Sequence, residues 1–357
     1  METPSNLVPR LAASRLAALR LGVVPLWAAV LAAVLMVGAC ATAPEVRFSA
    51  VYLDMDGTAL GTDHQVRPAT VEALRRYQAC GGRVGIATGR TLEQVEPFLD
   101  DVAPSLPLVL YNGGLSVDPK TREIVAVRHL PSDVVVRVLE VGAGNADVQG
   151  IVVHGATESW IDRSTEELDR ELAAGLIRPT GVLAKGALAG TPDLRPGEQP
   201  ADVKDPPRTE TPGPAVKVML LTYAGKVDAV ARQVGDAVGT DARSLVTSPR
   251  TVEVVPNGVN KAVGILAALS QAGIDPAQVL VFGDSGNDVE MLSVVGIGIA
   301  MGNCRPEACD AAMLRIGNNG TDAIAQVIER LALTPSCPRP RPSSLPAPAS
   351  EEAPRTE

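Results

Sequence analysis

The 357-residue sequence predicts an α/β fold: a parallel-sheet core with a second, α+β domain inserted into it. Three observations carry this expectation. Between residues 49 and 111, short apolar runs alternate with amphipathic stretches, the pattern of parallel strands covered by helices. The same alternation resumes after about residue 250. The stretch between them is less regular and reads as a unit that interrupts the first.

The elements follow in order. Ala50–Leu53 is a short apolar run closed by the turn signal Asp56-Gly57, so it reads as a buried strand. Arg67–Ala79 reads as a helix, with Pro68 near its start and Gly81-Gly82 behind it. Arg83–Ala87 is a second strand, Leu92–Val102 a second helix and Leu108–Tyr111 a third strand. In the middle, strands are expected at Ile124–Val127, Gly150–Val153 and Val216–Thr222. Further on, Ala262, Ile265, Leu266 and Leu269 share one helix face. Val279–Phe282 and Ile297–Ala300 read as strands, and Ile324, Val327, Ile328 and Leu331 mark a closing amphipathic helix. The expected boundaries are a core over 46–115 and 250–333 and an inserted domain over 116–249.

The flanks have a different character. Arg10, Arg15 and Arg20 precede Leu21–Ala39, a stretch without a charge that ends in Val37-Gly38-Ala39-Cys40. A basic region followed by an apolar stretch reads as an export signal or membrane anchor. The small residues before Cys40 resemble a bacterial lipoprotein cleavage site, which implies a lipidated cysteine and a membrane-tethered, exported protein. The alternative is translation from Val46, which makes residues 1–45 an untranslated leader and the product cytoplasmic. Residues 334–357 and the proline-rich stretch Gly186–Pro214 lack the apolar periodicity of a folded core and are expected to stay outside it.

Composition narrows the partners. With 46% hydrophobic and only 3% aromatic residues, aliphatic side chains must fill the interior. The net charge of -9 argues against a nucleic-acid phosphate partner, which calls for a basic surface. Besides Cys40 there are Cys80, Cys304, Cys309 and Cys337, and no pair has metal-ligand spacing. Cys80 and Cys309 read as small buried hydrophobes, and Cys337 as part of the tail.

Four segments place polar side chains directly behind apolar runs, where α/β sheets bind ligands. They are Asp54 and Asp56 in Asp54-Met55-Asp56-Gly57-Thr58; Thr88 in Ile86-Ala87-Thr88-Gly89-Arg90; Lys261 in Asn257-Gly258-Val259-Asn260-Lys261; and Asp284, Asn287 and Asp288 in Gly283-Asp284-Ser285-Gly286-Asn287-Asp288. Taken singly, each has an ordinary structural reading. Asp-Gly forms turns, Thr88 and Asp288 could cap helices, and Arg90 could be a solvated charge. Lys261 is less ordinary, because a cation in the first turn of a helix opposes the helix dipole.

In this order the four segments resemble the four motifs of the haloacid dehalogenase superfamily of phosphatases. The long insertion between the second and third is similar to the α/β cap of its Cof-type branch. Tyr111-Asn112-Gly113-Gly114 and Ala300-Met301-Gly302-Asn303 resemble further marks of that branch. Ala59 stands where the family usually has a bulkier apolar residue, and Cys304 where alanine is common.

The resemblance implies a Rossmann-like core and a Mg²⁺-dependent phosphatase acting on small phosphorylated metabolites, sugar phosphates foremost. It implies Asp54 as nucleophile, forming an aspartyl-phosphate, and Asp56 as the proton shuttle. Thr88, Lys261 and Asn287 are the implied phosphate contacts. The metal would be held by Asp54, the backbone carbonyl of Asp56, Asp284 and Asp288. Gly89, Arg90, Asn112 and Gly113 would line the substrate pocket. A phosphotransferase or phosphomutase on the same fold is the alternative, followed by a non-catalytic, membrane-tethered binding protein.

Overall fold

A computed structural model describes residues 46–163, 180–183 and 213–338. The basic and apolar N-terminal segment with Cys40, most of Gly186–Pro214 and residues 339–357 lie outside the described residues.

The core is a parallel sheet. Its strands are β1 (Ala50–Leu53), β2 (Arg83–Ile86) and β3 (Leu108–Leu110) from the first part of the chain. A hairpin-like extension follows as β4 (Leu115–Val117) and β5 (Ile124–Val127). The second unit holds β6 (Val148–His154), β7 (Ser159–Ile161), β8 (Gly181–Val182), β9 (Lys217–Thr222), β10 (Ala242–Ser248) and β11 (Thr251–Pro256). The chain then returns to the core with β12 (Val279–Gly283), β13 (Ile297–Ala300) and β14 (Leu314–Arg315).

The core order is β14-β13-β12-β1-β2, all parallel, and an isolated parallel bridge from Ala87 to Val109 brings β3 alongside β2. From β1 the chain steps outward in one direction through β2 and β3. After the second unit it steps outward in the other through β12, β13 and β14. The order therefore reverses between β1 and β12, which is where an open α/β sheet leaves a crevice at the carboxyl ends of its strands. β1 is buried along its whole length, since both its faces are covered.

Helices flank these strands. They include α1 (Pro68–Ala79), α2 (Leu92–Val95) and α3 (Leu99–Val102) in the first part, and α4 (Ser132–Ala143) and α5 (Val227–Val238) in the second unit. α6 (Lys261–Ala272) and α7 (Val289–Val294) follow β11 and β12. The single helix expected over Leu92–Val102 is divided into α2 and α3 by a 3-10 turn at Glu96–Phe98, because Pro97 cannot donate within a regular helix. The closing helix forms as two short turns, Ala323–Val327 and Ile328–Ala332, with Ile324 and Ile328 buried against the core.

The second unit is a six-stranded sheet in the order β10-β11-β9-β6-β7-β8, backed by α4 and α5. Valines at 134, 138, 230 and 234 of the two helices pack with Val153, Val218 and Leu220 of the sheet. This organisation moves the boundaries expected at 116 and 249. Leu115 and Val117 belong to the core's buried cluster and β5 pairs with β4, so the inserted unit begins near Leu130. At the far end, Thr251–Pro256 pairs antiparallel with β9 and β10 and belongs to the second sheet.

The cysteines also depart from expectation. Cys80 and Cys337 form a disulfide with Cα atoms 5.8 Å apart, and Cys304 and Cys309 form another at 5.6 Å. Cys80 and Cys309 are therefore cross-linked, not simple buried hydrophobes. The described part of the tail expected from residue 334 is not free of the core, because Arg76 of α1 donates to the carbonyls of Cys337 and Pro338. A Cys80→Ala/Cys337→Ala variant is expected to lose about 2–5 kcal/mol of stability, as measured by denaturant titration. Identical midpoints for the oxidised wild type and this variant would rule out the cross-link.

Candidate active site

Asp54 follows the last residue of β1 and is 4% exposed. Its backbone N–H donates to the Phe282 carbonyl at 3.0 Å, which fastens it to β12 across the crevice. The chain then turns through Gly57, whose φ is +77°. A Cβ on Gly57 would lie 2.4 Å from Asp284 Oδ2, so conformation and space both require glycine there.

Lys261 opens α6 at its N-terminus and is 1% exposed. Its Nζ donates to Asp54 Oδ1 and to Asp288 Oδ1, each at 2.6 Å. Asn260 caps the helix by accepting from the Val263 N–H at 2.9 Å, and the two carboxylates offset the dipole conflict that makes a lysine unfavourable at this end. Asp288 is fully buried, and its Oδ2 accepts from the Asp284 and Ser285 N–H groups at 2.8 and 2.9 Å. Asp284 accepts from the Thr58 hydroxyl at 2.9 Å.

The electrostatics are unbalanced. Asp54, Asp284 and Asp288 bring one carboxylate oxygen each within 4.8 Å of one another. Burial raises the Asp54 pKa well above the carboxylate range, and Asp288 and Asp284 add to this while Lys261 opposes it. Asp284 is pushed up to about 6, by burial first and then by Asp288. Burial works against the Lys261 ammonium, but Asp288 and Asp54 outweigh it and its pKa is raised. One ammonium thus faces three carboxylates. Hard oxygen donors with surplus negative charge are the set that suits Mg²⁺.

Asp56 sits differently. Its carboxylate is held by Arg90 through two bonds of 2.7 Å, and its charge still reaches Asp284, whose pKa it helps to raise. Any part it takes in a metal site falls to its backbone carbonyl. Arg90 is itself ordered by the Gln94 carbonyl at 3.0 Å and by the Phe98 ring 5.4 Å away. It is therefore a paired residue and not a free surface charge.

Thr88 is 1% exposed, and its N–H donates to the Val109 carbonyl at 2.8 Å. It does not cap the following helix. That role belongs to Thr91, which forms a capping box with Gln94. Asn112 is 2% exposed and has a φ of +55°. Its Oδ1 accepts from Asn287 Nδ2 at 2.9 Å, so Asn287 is engaged with a neighbouring turn. Gly113 has a φ of +99°, and a Cβ there would meet the Asn260 carbonyl oxygen at 2.2 Å.

Most of these residues line one cavity of about 710 Å³, roofed by the second sheet; Lys261 and Asp288 lie behind its wall, and Gly113, expected in the substrate pocket, is not part of the lining. Asp54, Asp56, Gly89, Arg90, Asn112 and Asn287 come from the core side. His154, Lys217, Arg243 and Glu253 come from the second unit. Sequence reasoning missed these last four. One signal was present: Glu253 stands between Val252 and Val254 in an apolar run, where a charge needs a buried partner.

The fold and site together define a class: a parallel α/β core with an inserted cap, carrying an acidic cluster and one buried lysine at the crossover of the sheet. The model of the haloacid dehalogenase-like hydrolase family matches residues 51–328, and the chain belongs to that family. It is 25% identical to the 5-amino-6-(5-phospho-D-ribitylamino)uracil phosphatase YitU of Bacillus subtilis, over 80% of this chain and 92% of the relative. It is 26% identical to the pyridoxal phosphate phosphatase YbhA of Escherichia coli, over 78% and 96% of the two chains. A solved haloacid dehalogenase-like hydrolase from Bacteroides thetaiotaomicron has the same fold, with a TM-score of 0.64 and 23% identity over 79% of this chain and 99% of that one. A subclass IIB sugar phosphatase has a TM-score of 0.64 at 18% identity, covering 79% and 98%.

Proposed function

We propose that this protein is a Mg²⁺-dependent phosphatase of small, hydroxyl-rich phosphorylated metabolites. The observation that carries this reading is Asp54, buried at the crossover with one oxygen held by Lys261 at 2.6 Å and two further carboxylates beside it. Relatives named as phosphatases support it.

In this reading the Asp54 oxygen not held by Lys261 attacks phosphorus, and the P–O bond to the leaving alcohol breaks. Asp56, entering the step as the carboxylic acid, delivers the proton that alcohol needs. It then takes one from the water that attacks the aspartyl-phosphate, releasing phosphate and restoring Asp54. For this Asp56 must part from Arg90, which frees the guanidinium to meet the phosphate. Lys261 neutralises charge on the nucleophile, and Thr88 donates its hydroxyl to a phosphoryl oxygen. Asp54, Asp284, Asp288 and the Asp56 carbonyl would hold Mg²⁺, which would supply electrostatic stabilisation of the transferring group.

The cavity wall favours a polyol. Among the described residues no Phe, Tyr or Trp lines it, whereas Thr247, Ser248, Asn260 and Gln94 do. A ring-bearing substrate meets no Phe, Tyr or Trp face here, and a sugar finds hydrogen-bonding groups. The test is phosphate release from a panel of sugar phosphates, pyridoxal phosphate and an aryl phosphate, with Mg²⁺ and with chelator. Release is expected to need the metal and to be fastest with a sugar phosphate. Metal-independent release, or none from any compound, would overturn the assignment, and transfer to added sugar without free phosphate would make it a transferase.

For localisation we propose export and anchoring through a lipidated Cys40, the alternative being a cytoplasmic product started near Val46. Two disulfides among the four described cysteines support this, since such bonds persist in oxidising compartments and are rare in the cytosol. The mass of the mature N-terminus decides it, because lipidated Cys40 and a start at Val46 differ widely.

A further inference from the structure

The cap carries a buried ion pair that the proposed chemistry does not use. Lys217, the first residue of β9, is 4% exposed, and Glu253 in β11 is 6% exposed. Lys217 Nζ lies 2.7 Å from Glu253 Oε1. A buried pair adds little stability over apolar side chains of the same volume, because desolvation consumes most of the attraction. Its reason must be sought in what it touches.

The side-chain hydrogen bonds that the pair makes beyond itself reach the core. Lys217 Nζ donates to the Gly89 carbonyl at 3.1 Å, directly behind Thr88. The ammonium also lies 5.3 Å from the centre of the Tyr111 ring. Glu253 Oε2 accepts from Asn112 Nδ2 at 3.1 Å. Asn112 passes the connection on, because its Oδ1 accepts from Asn287 in the turn between Asp284 and Asp288. Its backbone N–H donates to the Thr88 carbonyl at 2.9 Å. Two cap residues thus fasten three core turns, those of Thr88, Asn112 and Asn287.

Two further facts point the same way. Tyr111 and Asn112 have φ values of +50° and +55°, a conformation costly for non-glycine residues that surrounding contacts must hold. Both carboxylate oxygens of Glu253 are occupied, and Lys217 is spent on Glu253, Gly89 and the Tyr111 ring. The pair lines the cavity as part of its wall, and its side-chain bonds run within the pair and to Gly89 and Asn112 of that wall.

We propose that Lys217 and Glu253 are positioning residues: the pair locks the seated cap to the Thr88, Asn112 and Asn287 turns and so holds the phosphate site in its working geometry. Catalytic efficiency thereby becomes dependent on cap docking. The kinetic part of this inference rests on the phosphatase reading.

The test replaces the pair by apolar residues of similar volume, Lys217→Met/Glu253→Leu, and separately makes Glu253→Gln. Glutamine keeps the shape but offers one acceptor where two are needed. The double variant is expected to melt no lower than wild type, yet to lose about 10- to 100-fold in kcat on an aryl phosphate, as misplaced reacting groups do. KM is expected to stay within about threefold. Hydrogen exchange at the Asn112 amide is expected to quicken in both variants with the overall exchange of α1 unchanged, a readout independent of turnover. If wild-type protein releases no phosphate, the phosphatase reading fails while the exchange result still judges the lock. Unchanged exchange at Asn112, or a wild-type kcat, would overturn the proposal. So would an effect confined to KM, which would make the pair a substrate contact. Should the double variant fail to fold, Glu253→Gln alone decides by the same criteria.

Discussion

Asp54→Asn is expected to reduce phosphate release by at least about 10³-fold while leaving the fold intact, since removal of a group acting as nucleophile abolishes the covalent route. The substitution keeps the side chain's size, and an amide oxygen can still accept from Lys261. What disappears is the anionic oxygen that would attack phosphorus. Stability should not fall, because one of three crowded carboxylates is removed while Lys261 keeps Asp288 at 2.6 Å. A melting temperature equal to or above that of wild type, combined with loss of turnover, separates chemistry from folding. Turnover within about tenfold of wild type would assign the attack to another group.

Lys261→Met is the second large effect, and it acts on folding. The ammonium is the counter-charge buried between Asp54 and Asp288. Without it, two buried carboxylates face each other with Asp284 nearby, and breaking a buried pair from one side destabilises by about 3–5 kcal/mol. Denaturant titration in chelator is expected to show that loss. Millimolar Mg²⁺ is expected to restore part of it, because a cation held by the same carboxylates offsets the charge the lysine no longer covers. A variant as stable as wild type in chelator would mean the carboxylates are protonated and the pairing is weak. No recovery with Mg²⁺ would count against the acidic cluster as the metal site.

The candidate residues legible in the sequence were those sitting next to a recognisable strand. Asp54, Thr88 and Asp284 each follow a run of buried, mostly apolar residues, and the strand pattern located them without any knowledge of the partners. Lys261 stood out because its charge opposes the helix end it occupies. Lys217 and Glu253 were hidden for the opposite reason. A lysine opening a strand is commonplace, and a lone glutamate among valines signals a buried partner without saying which one. The Cys80–Cys337 disulfide was equally hidden, since its cysteines are 257 residues apart and pairing cannot be deduced from spacing. The boundary expected at 249 failed because Thr251–Pro256 is apolar enough for either sheet, and only its antiparallel register with β9 assigns it to the second.

By itself the sequence determined which residues could do chemistry and the order in which they occur, because both depend on local patterns of a few residues. The tertiary structure decided which of them meet. Parallel strands bring the ends of β1 and β12 side by side although they lie far apart in the chain, and that reversal of strand order creates the crevice. It also decided that Lys261 is shared between Asp54 and Asp288 while Arg90 takes Asp56. Such pairings depend on distances of a few ångströms between distant segments, and charge interactions in a buried site change steeply over that range.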